Sequence, residues 1–271
     1  MLLLVLFFAP KKRTDAVRDL SPGMLAVRDL SPGMGDVSYI KRLLINFAVT
    51  KLRWYMTDFE KLKEICRVAC HERGACTAGY EALMHADSIG AILAVWRANW
   101  EDIFSSKFAD VMVERISEVY RTAKAEMNAA GFWVNEDREQ GMVIITNAPQ
   151  LINLGGTAKG YVFAHSMVSA TDNAQVFCRT DGSDIALHGH ARANISGRCT
   201  LNAYDFSTAR CTACTCHTHG AAQITMHSGI VVSHGHRYIV AYQATKVYAN
   251  TRRGIETDDS STLLPLDNDN Q

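Results

Sequence analysis

At 271 residues, 48% hydrophobic and 21% charged, the chain has the make-up of one large globular domain or two small ones. Its 28 Lys and Arg balance 28 Asp and Glu, a net charge of zero that excludes a globally basic nucleic-acid binder and gives no pull toward an anionic membrane surface. Eight cysteines in a chain of this length fall far below the density of small disulfide-stapled domains, so their meaning rests on position.

The first segment, MLLLVLFFAPKKR, has an apolar run from Leu2 to Ala9, well short of the roughly 20 residues a membrane helix needs. Lys11, Lys12 and Arg13 follow that run, whereas a signal peptide carries its charge ahead of it. Neither a membrane span nor a secretion signal is read here, and a cytoplasmic location is the expectation. AVRDLSPGM stands at 16–24 and again at 26–34; two copies are too few for a repeat architecture, and Ser-Pro-Gly is a turn signal. Residues 1–55 therefore read as a flexible or spurious extension. Met56 precedes Thr57-Asp-Phe-Glu60, a capping box, which makes Met56 the expected start of translation.

Residues 56–131 read as a helical module. Phe59, Leu62, Ile65, Val68 and Ala69 recur at helical spacing up to Arg73-Gly74. A short helix is predicted over Gly79 to His85, a third from Ser88 with Ile89, Ile92, Leu93 and Trp96 on one face, and one long helix over Trp100 to Ala129, closed by Gly131. Cys66, Cys70, Cys76 and His71 could be proposed as zinc ligands, but the spacing is not a common knuckle and small thiols suit helix cores. Trp96, Trp100 and Trp133 read as packing anchors. In 132–155, FWVN and MVIITN flank EDREQG and predict a β-hairpin or two adjacent strands that link the module to the C-terminal half of the chain.

Beyond Pro149 the chain turns to Ala, Ser, Thr, Gly, Asn, Val and Cys with a short internal period. Alternate positions give Ser166-Val168-Ala170, Ala174-Val176-Cys178, Ser183-Ile185-Leu187, Ala191-Ala193-Ile195, Cys199-Leu201-Ala203, Ser207-Ala209-Cys211, Cys214-Cys216-Thr218, Ala222-Ile224-Met226, Ile230-Val232-His234, Tyr238-Val240-Tyr242 and Thr245-Val247-Ala249. Each triplet is one face of a short strand, and turn formers such as Asp172-Asn173, Asp181-Gly182, Ser196-Gly197 and Tyr204-Asp205 separate them. The fold class is α+β: the helical module followed over 156–251 by a short β-solenoid, or β-roll, of about eleven eight-residue strand-turn repeats, with 252–271 as a disordered polar tail. Two strands per coil, about 16 residues a turn, are preferred to three, and a plain antiparallel meander is the alternative.

That frame places CTACTCHTHG, residues 211–220. Cys178, Cys199, Cys211, Cys214 and Cys216 fall at inward positions and pack as small hydrophobes, while His217 faces out and His219 sits at a turn. Seven histidines, His188, His190, His217, His219, His227, His234 and His236, concentrate in this part of the repeat. His217, His219, His227 and His236 are the candidate ligands if an outer wall of imidazoles binds a transition metal; solvated surface histidines are the simpler reading. GxSxG, GxxxxGK[ST], HExxH and a strand-flanked GxGxxG are all absent, no cofactor is implied, and the acids Asp172, Asp181 and Asp205 stand at turns.

The stretch DNAQVFCRTDGSDIAL resembles the short Ala/Val β-solenoid repeats of uncharacterised bacterial and phage-associated proteins, in which Asp-Asn-Ala-x-Val-x-Ala recurs along a rod. The resemblance covers about 156–251. It implies a structural or adhesive role and supplies no catalytic residues. The expected function is non-enzymatic: a structural, self-assembling or adhesive protein whose partners are a second copy, a protein or a glycan, with no nucleic acid and no membrane span. The alternatives are metal binding or metal-dependent catalysis on the histidine wall, and a helical module that binds a protein while the solenoid acts as a spacer.

Overall fold

Thr57 and Glu60 form a reciprocal capping box: the Glu60 amide donates to Thr57 Oγ1 at 3.3 Å and the Thr57 amide to Glu60 Oε2 at 2.7 Å. The computed structural model describes residues 56–73, 77–105, 108–234 and 238–266. The expected extension over 1–55, Cys76 and His236 lie outside the described residues. The helices are α1 (Asp58–Arg73), α2 (Thr77–His85), α3 (Ile89–Ala98), α4 (Trp100–Ser105) and α5 (Phe108–Ala129). Ser88 caps α3 by accepting the Ala91 amide at 3.2 Å, and Gly131, at φ +81°, closes α5. The long helix expected over 100–129 is described as helix on either side of 106–107, which lie outside the described residues, with a kink at Ala123. Its two described parts pack differently. Trp100 and Phe104 of α4 meet the rings of Tyr161 and Phe163, while Ile116 and Val119 of α5 join Leu62 and Ile65 of α1 in the helical core.

Seventeen short strands follow among the described residues: β1 (Phe132–Val134), β2 (Met142–Ile145), β3 (Ile152–Leu154), β4 (Lys159–Val162), β5 (Met167–Ala170), β6 (Gln175–Cys178), β7 (Asp184–Leu187), β8 (Arg192–Ile195) and β9 (Thr200–Ala203). The series continues with β10 (Thr208–Cys211), β11 (Cys214–His219), β12 (Gln223–Met226), β13 (Gly229–His234), β14 (Tyr238–Ala241), β15 (Lys246–Ala249), β16 (Ile255–Thr257) and β17 (Thr262–Leu264). They form a nine-stranded sheet, β1-β2-β4-β6-β8-β10-β12-β14-β16, and an eight-stranded sheet, β3-β5-β7-β9-β11-β13-β15-β17, all pairings parallel. This is a β-solenoid of about eight turns with two strands per coil. Partners such as Lys159 and Gln175, Gln175 and Arg192, or Thr208 and Gln223 show that successive coils differ in length by a residue or two.

Three expectations change. The segment 132–155 is no hairpin, because β1 and β2 run parallel, and the EDREQG loop is a short first coil whose Arg138 bridges to Leu154. The solenoid extends past 251, because β16 and β17 add to the two sheets within the expected tail. In β13 and β14 the face is displaced by one residue: Val231, Ser233, Ile239 and Ala241 are buried, whereas Ile230, Tyr238 and Tyr242 are exposed. A one-residue slip flips every side chain in a strand, and the unbroken apolar runs IVV and YIVAY hide the alternation. The other nine triplets are buried along their whole length.

The interior is narrow and mostly Ala, Val, Ile, Leu and Cys. Trp133 packs against it at the first coil, with the Arg138 guanidinium 4.7 Å above its ring. Gly141 sits there at φ +91°, where an added Cβ would stand 2.0 Å from the Trp133 ring. On the outer face of the nine-stranded sheet one register column reads Val134, Ile144, Tyr161, Phe177 and then Asn194 and Arg210. The helices cover its apolar part: Phe104 lies 5.2 Å from Tyr161 and 6.4 Å from Phe177, and Tyr161 stacks on Phe177 at 4.9 Å. Past Phe177 the column reads Asn194, Arg210, Thr225, Val240 and Glu256, with Asn194 and Arg210 exposed. No described helix is long and apolar enough to cross a membrane.

Candidate functional site

In five consecutive coils, after β3, β5, β7, β9 and β11, the chain leaves the eight-stranded sheet through a turn with a residue of positive φ: Gly156 (+51°), Asp172 (+57°), Gly189 (+61°), Asp205 (+55°) and Gly220 (+64°). Gly and Asp alternate there for a backbone reason. The Asp172 carboxylate accepts the Gly156 amide at 3.2 Å, and that of Asp205 accepts the Gly189 amide at 3.0 Å, so each aspartate ties its turn to the one before. At the opposite corner Asp181 accepts the Arg198 amide at 2.7 Å and so ties its turn to the one after.

Identical turns stack whatever precedes them. The residues before Gly189, Asp205 and Gly220 are His188, Tyr204 and His219, and with His234 at the end of β13 their rings form one column: His188 on Tyr204 at 4.7 Å, Tyr204 on His219 at 4.7 Å and His219 on His234 at 4.9 Å, with interplanar angles of 1°, 12° and 7°. The spacing is that of neighbouring strands, about 4.8 Å, which is why the rings lie face to face. His217, two residues before His219 and on the same face, stacks diagonally on His234 at 6.0 Å. Beside the column, His190 stacks on Phe206 at 5.5 Å, and Phe206 is 61% exposed.

Of the sequence candidates, the fold brings His217 and His219 together, with His234 as a third member that the slipped triplet had turned inward. His227 lies at the opposite corner, stacked on Tyr242 at 5.2 Å. Among the described residues no group of three or more His, Cys, Asp or Glu is arranged to hold a metal ion. Stacked imidazoles present faces to each other, whereas coordination requires the in-plane nitrogen lone pairs to converge. Tyr204 and Phe206 are the members that a search for ligands passes over; their signal is position, directly before and after the turn aspartate. Burial lowers the His217 pKa, with His234 adding to the shift, and burial followed by His234 and His217 lowers that of His219. These two rings are therefore neutral in neutral solution, a half-buried surface of aromatic faces and imidazole nitrogens that gains positive charge on acidification.

The five solenoid cysteines are buried, as are Cys66 and Cys70 in the helical core. Burial pushes the Cys66 thiol up to about 12. The first coils carry two concavities: a cleft of about 850 Å³ beside Trp133, Arg138 and Asp172, and one of about 690 Å³ between helices and solenoid, where Arg97, Glu101, Asp102 and Lys159 mix charges of both signs. Comparison with protein-family models, with curated proteins and with solved structures returns no match.

Proposed function

We propose that the chain is a non-enzymatic structural protein that self-associates through the last coil of its solenoid and offers the ring column as a contact surface to a protein or glycan. The difference between the two ends carries this reading. At the first coil Trp133 and Arg138 close the core and the helices cover the adjoining sheet face. At the last coil Ile255 and Leu263 are only partly buried against the core; among the described residues no strand pairs with the far edges of β16 and β17, nor with those of β1 and β3, but α5 lies against β1. Unpaired parallel edges over an apolar core favour continuation by another chain, and two copies meeting around a two-fold axis would cover both ends at once. Light scattering of the full chain over a concentration series tests this. The expected result is a mass above one chain that falls to one chain in Leu263→Lys, which sets a charge on the uncovered core. A single-chain mass at every concentration refutes it.

A second reading, metal binding on the outer wall, has in its favour only the closeness of His217, His219 and His234, whose stacking turns ring planes rather than nitrogen lone pairs toward each other. Elemental analysis of untagged protein decides between the two: stoichiometric zinc or copper that disappears in His217→Ala/His219→Ala supports the metal, and metal-free protein that assembles supports the structural role.

A further inference from the structure

Two of the buried thiols are in contact. Cys178 ends β6 and Cys199 precedes β9, one coil further on; both lie in the solenoid core, and their sulfurs stand 3.5 Å apart. Both face the same carbonyl, that of Thr180, whose oxygen lies 3.0 Å from Cys199 Sγ and 3.6 Å from Cys178 Sγ. Thr180 is a half-buried residue of the turn Arg179 to Ser183, whose Asp181 and Gly182 are exposed. The turns are drawn together by backbone: the Gly182 amide donates to Arg198 O at 2.9 Å, and a Cβ on Gly197 would stand 2.2 Å from Thr180 O.

We propose that Cys178 and Cys199 are an oxidisable pair that a hydroperoxide converts to a disulfide stapling consecutive coils at this corner. The sulfurs already stand at the distance of a near-attack arrangement. Their ionisation is uneven: the hydrogen bond from Cys199 draws the Cys178 pKa down against the opposing effect of burial, while that same bond, followed by burial, raises the pKa of Cys199. Cys178 is therefore the attacking thiolate. Its sulfur bonds to one peroxide oxygen as the O–O bond breaks, and the other oxygen leaves with a proton as water or alcohol. Cys199 gives up its proton, its sulfur attacks the sulfenic sulfur of Cys178, and the S–O bond breaks to release water. Two thiols are oxidised by two electrons and one peroxide is reduced.

The test uses the full reduced chain and hydrogen peroxide, followed by alkylation of remaining thiols in denaturant. Trypsin cuts after Arg179 and Arg198, so Cys178 lies alone in Gly160–Arg179 and Cys199 alone in Cys199–Arg210. The expected product is the linked pair of these peptides, lost on reduction. It is missing in Cys199→Ala, where an alanine fits an inward position, and retained in Cys211→Ala. Untouched thiols, a dominant link involving Cys211, Cys214 or Cys216, or unlinked sulfonic acid at Cys178 would overturn the proposal.

Discussion

The frame of β13 decides whether His234 belongs to the ring column, and a pair of substitutions reads that frame directly. Val231 is fully buried and Ile230 is 37% exposed, so the same carboxylate should have opposite consequences at neighbouring positions. Val231→Asp loses about 1.5–3 kcal/mol of valine burial. It must also keep its new carboxyl protonated in the core, where such groups shift by up to roughly 3–5 pK units, so at about pH 7 this adds about 4 kcal/mol. The sum, about 6 kcal/mol, rivals the whole stability of a typical domain, about 5–15 kcal/mol. Ile230→Asp faces solvent and should cost no more than about 1 kcal/mol. Urea unfolding followed by far-UV circular dichroism measures both. The sign with pH gives a second check: an acid whose folded pKa is raised loses its stabilising share as pH rises, so Val231→Asp should regain stability on acidification. If Ile230→Asp proves the damaging change, β13 is one residue out of frame, His234 points inward, and the column ends at His219.

Thr57→Ala removes one half of the capping box and should lower helix stability by about 1 kcal/mol in thermal or urea unfolding, with Thr57→Ser restoring it. Gly141→Ala forces a Cβ into the Trp133 ring at φ +91° and should destabilise by about 1–3 kcal/mol or more; an unchanged midpoint would mean that the ring moves aside freely. His217 and His219 have folded pKa values below the ordinary 6.5. They bind fewer protons folded than unfolded, so their stabilising share is complete above that value and is lost as pH falls through it toward the lowered folded values. The thermal midpoint of the wild type should accordingly drop further on acidification than that of His217→Asn/His219→Asn; equal drops would dissociate the column from the acid response.

What the sequence disclosed is what repetition makes redundant. One strand of alternating Ala, Val and Cys proves little, but nine triplets in one frame leave the interior unambiguous, and Cys216 and His217 on opposite faces follow from the same alternation. The capping box was legible because it is local. The frame was lost in GIVVSH and YIVAY, where both faces carry apolar residues and coil length varies, so period alone cannot fix which residue points in. The parallel pairing of β1 and β2 was hidden for a different reason: a loop of EDREQG length suits a hairpin, and only Trp133, Arg138 and Gly141 packing together make it a coil. The ring column was half visible. Its histidines stand out in the letters, yet Tyr204 joins them only once the turns at Asp172, Gly189, Asp205 and Gly220 are seen to be equivalent.

A solenoid of parallel in-register strands turns sequence into columns, and each column has a chemistry that changes only along the rod. On the nine-stranded sheet the change comes between Phe177 and Asn194: before it, aromatic rings lie under the helices, and after it the exposed Asn194 and Arg210 follow. On the opposite sheet the ring column runs from His188 to His234, in the coils that begin where the helical cover stops. The two switches fall at the same level because both read the same coil, the one containing Phe177, Asp181 and His188. Helical packing has claimed the outside of the first coils for stability, which leaves the later coils to present any surface that meets a partner. Rings that repeat at the strand spacing suit an extended partner with its own repeat better than a compact ligand, since a compact ligand would use two rings and leave the others idle. Shortening the rod by whole coils between β7 and β13 should then weaken such binding in steps, whereas removing the helices should first affect folding.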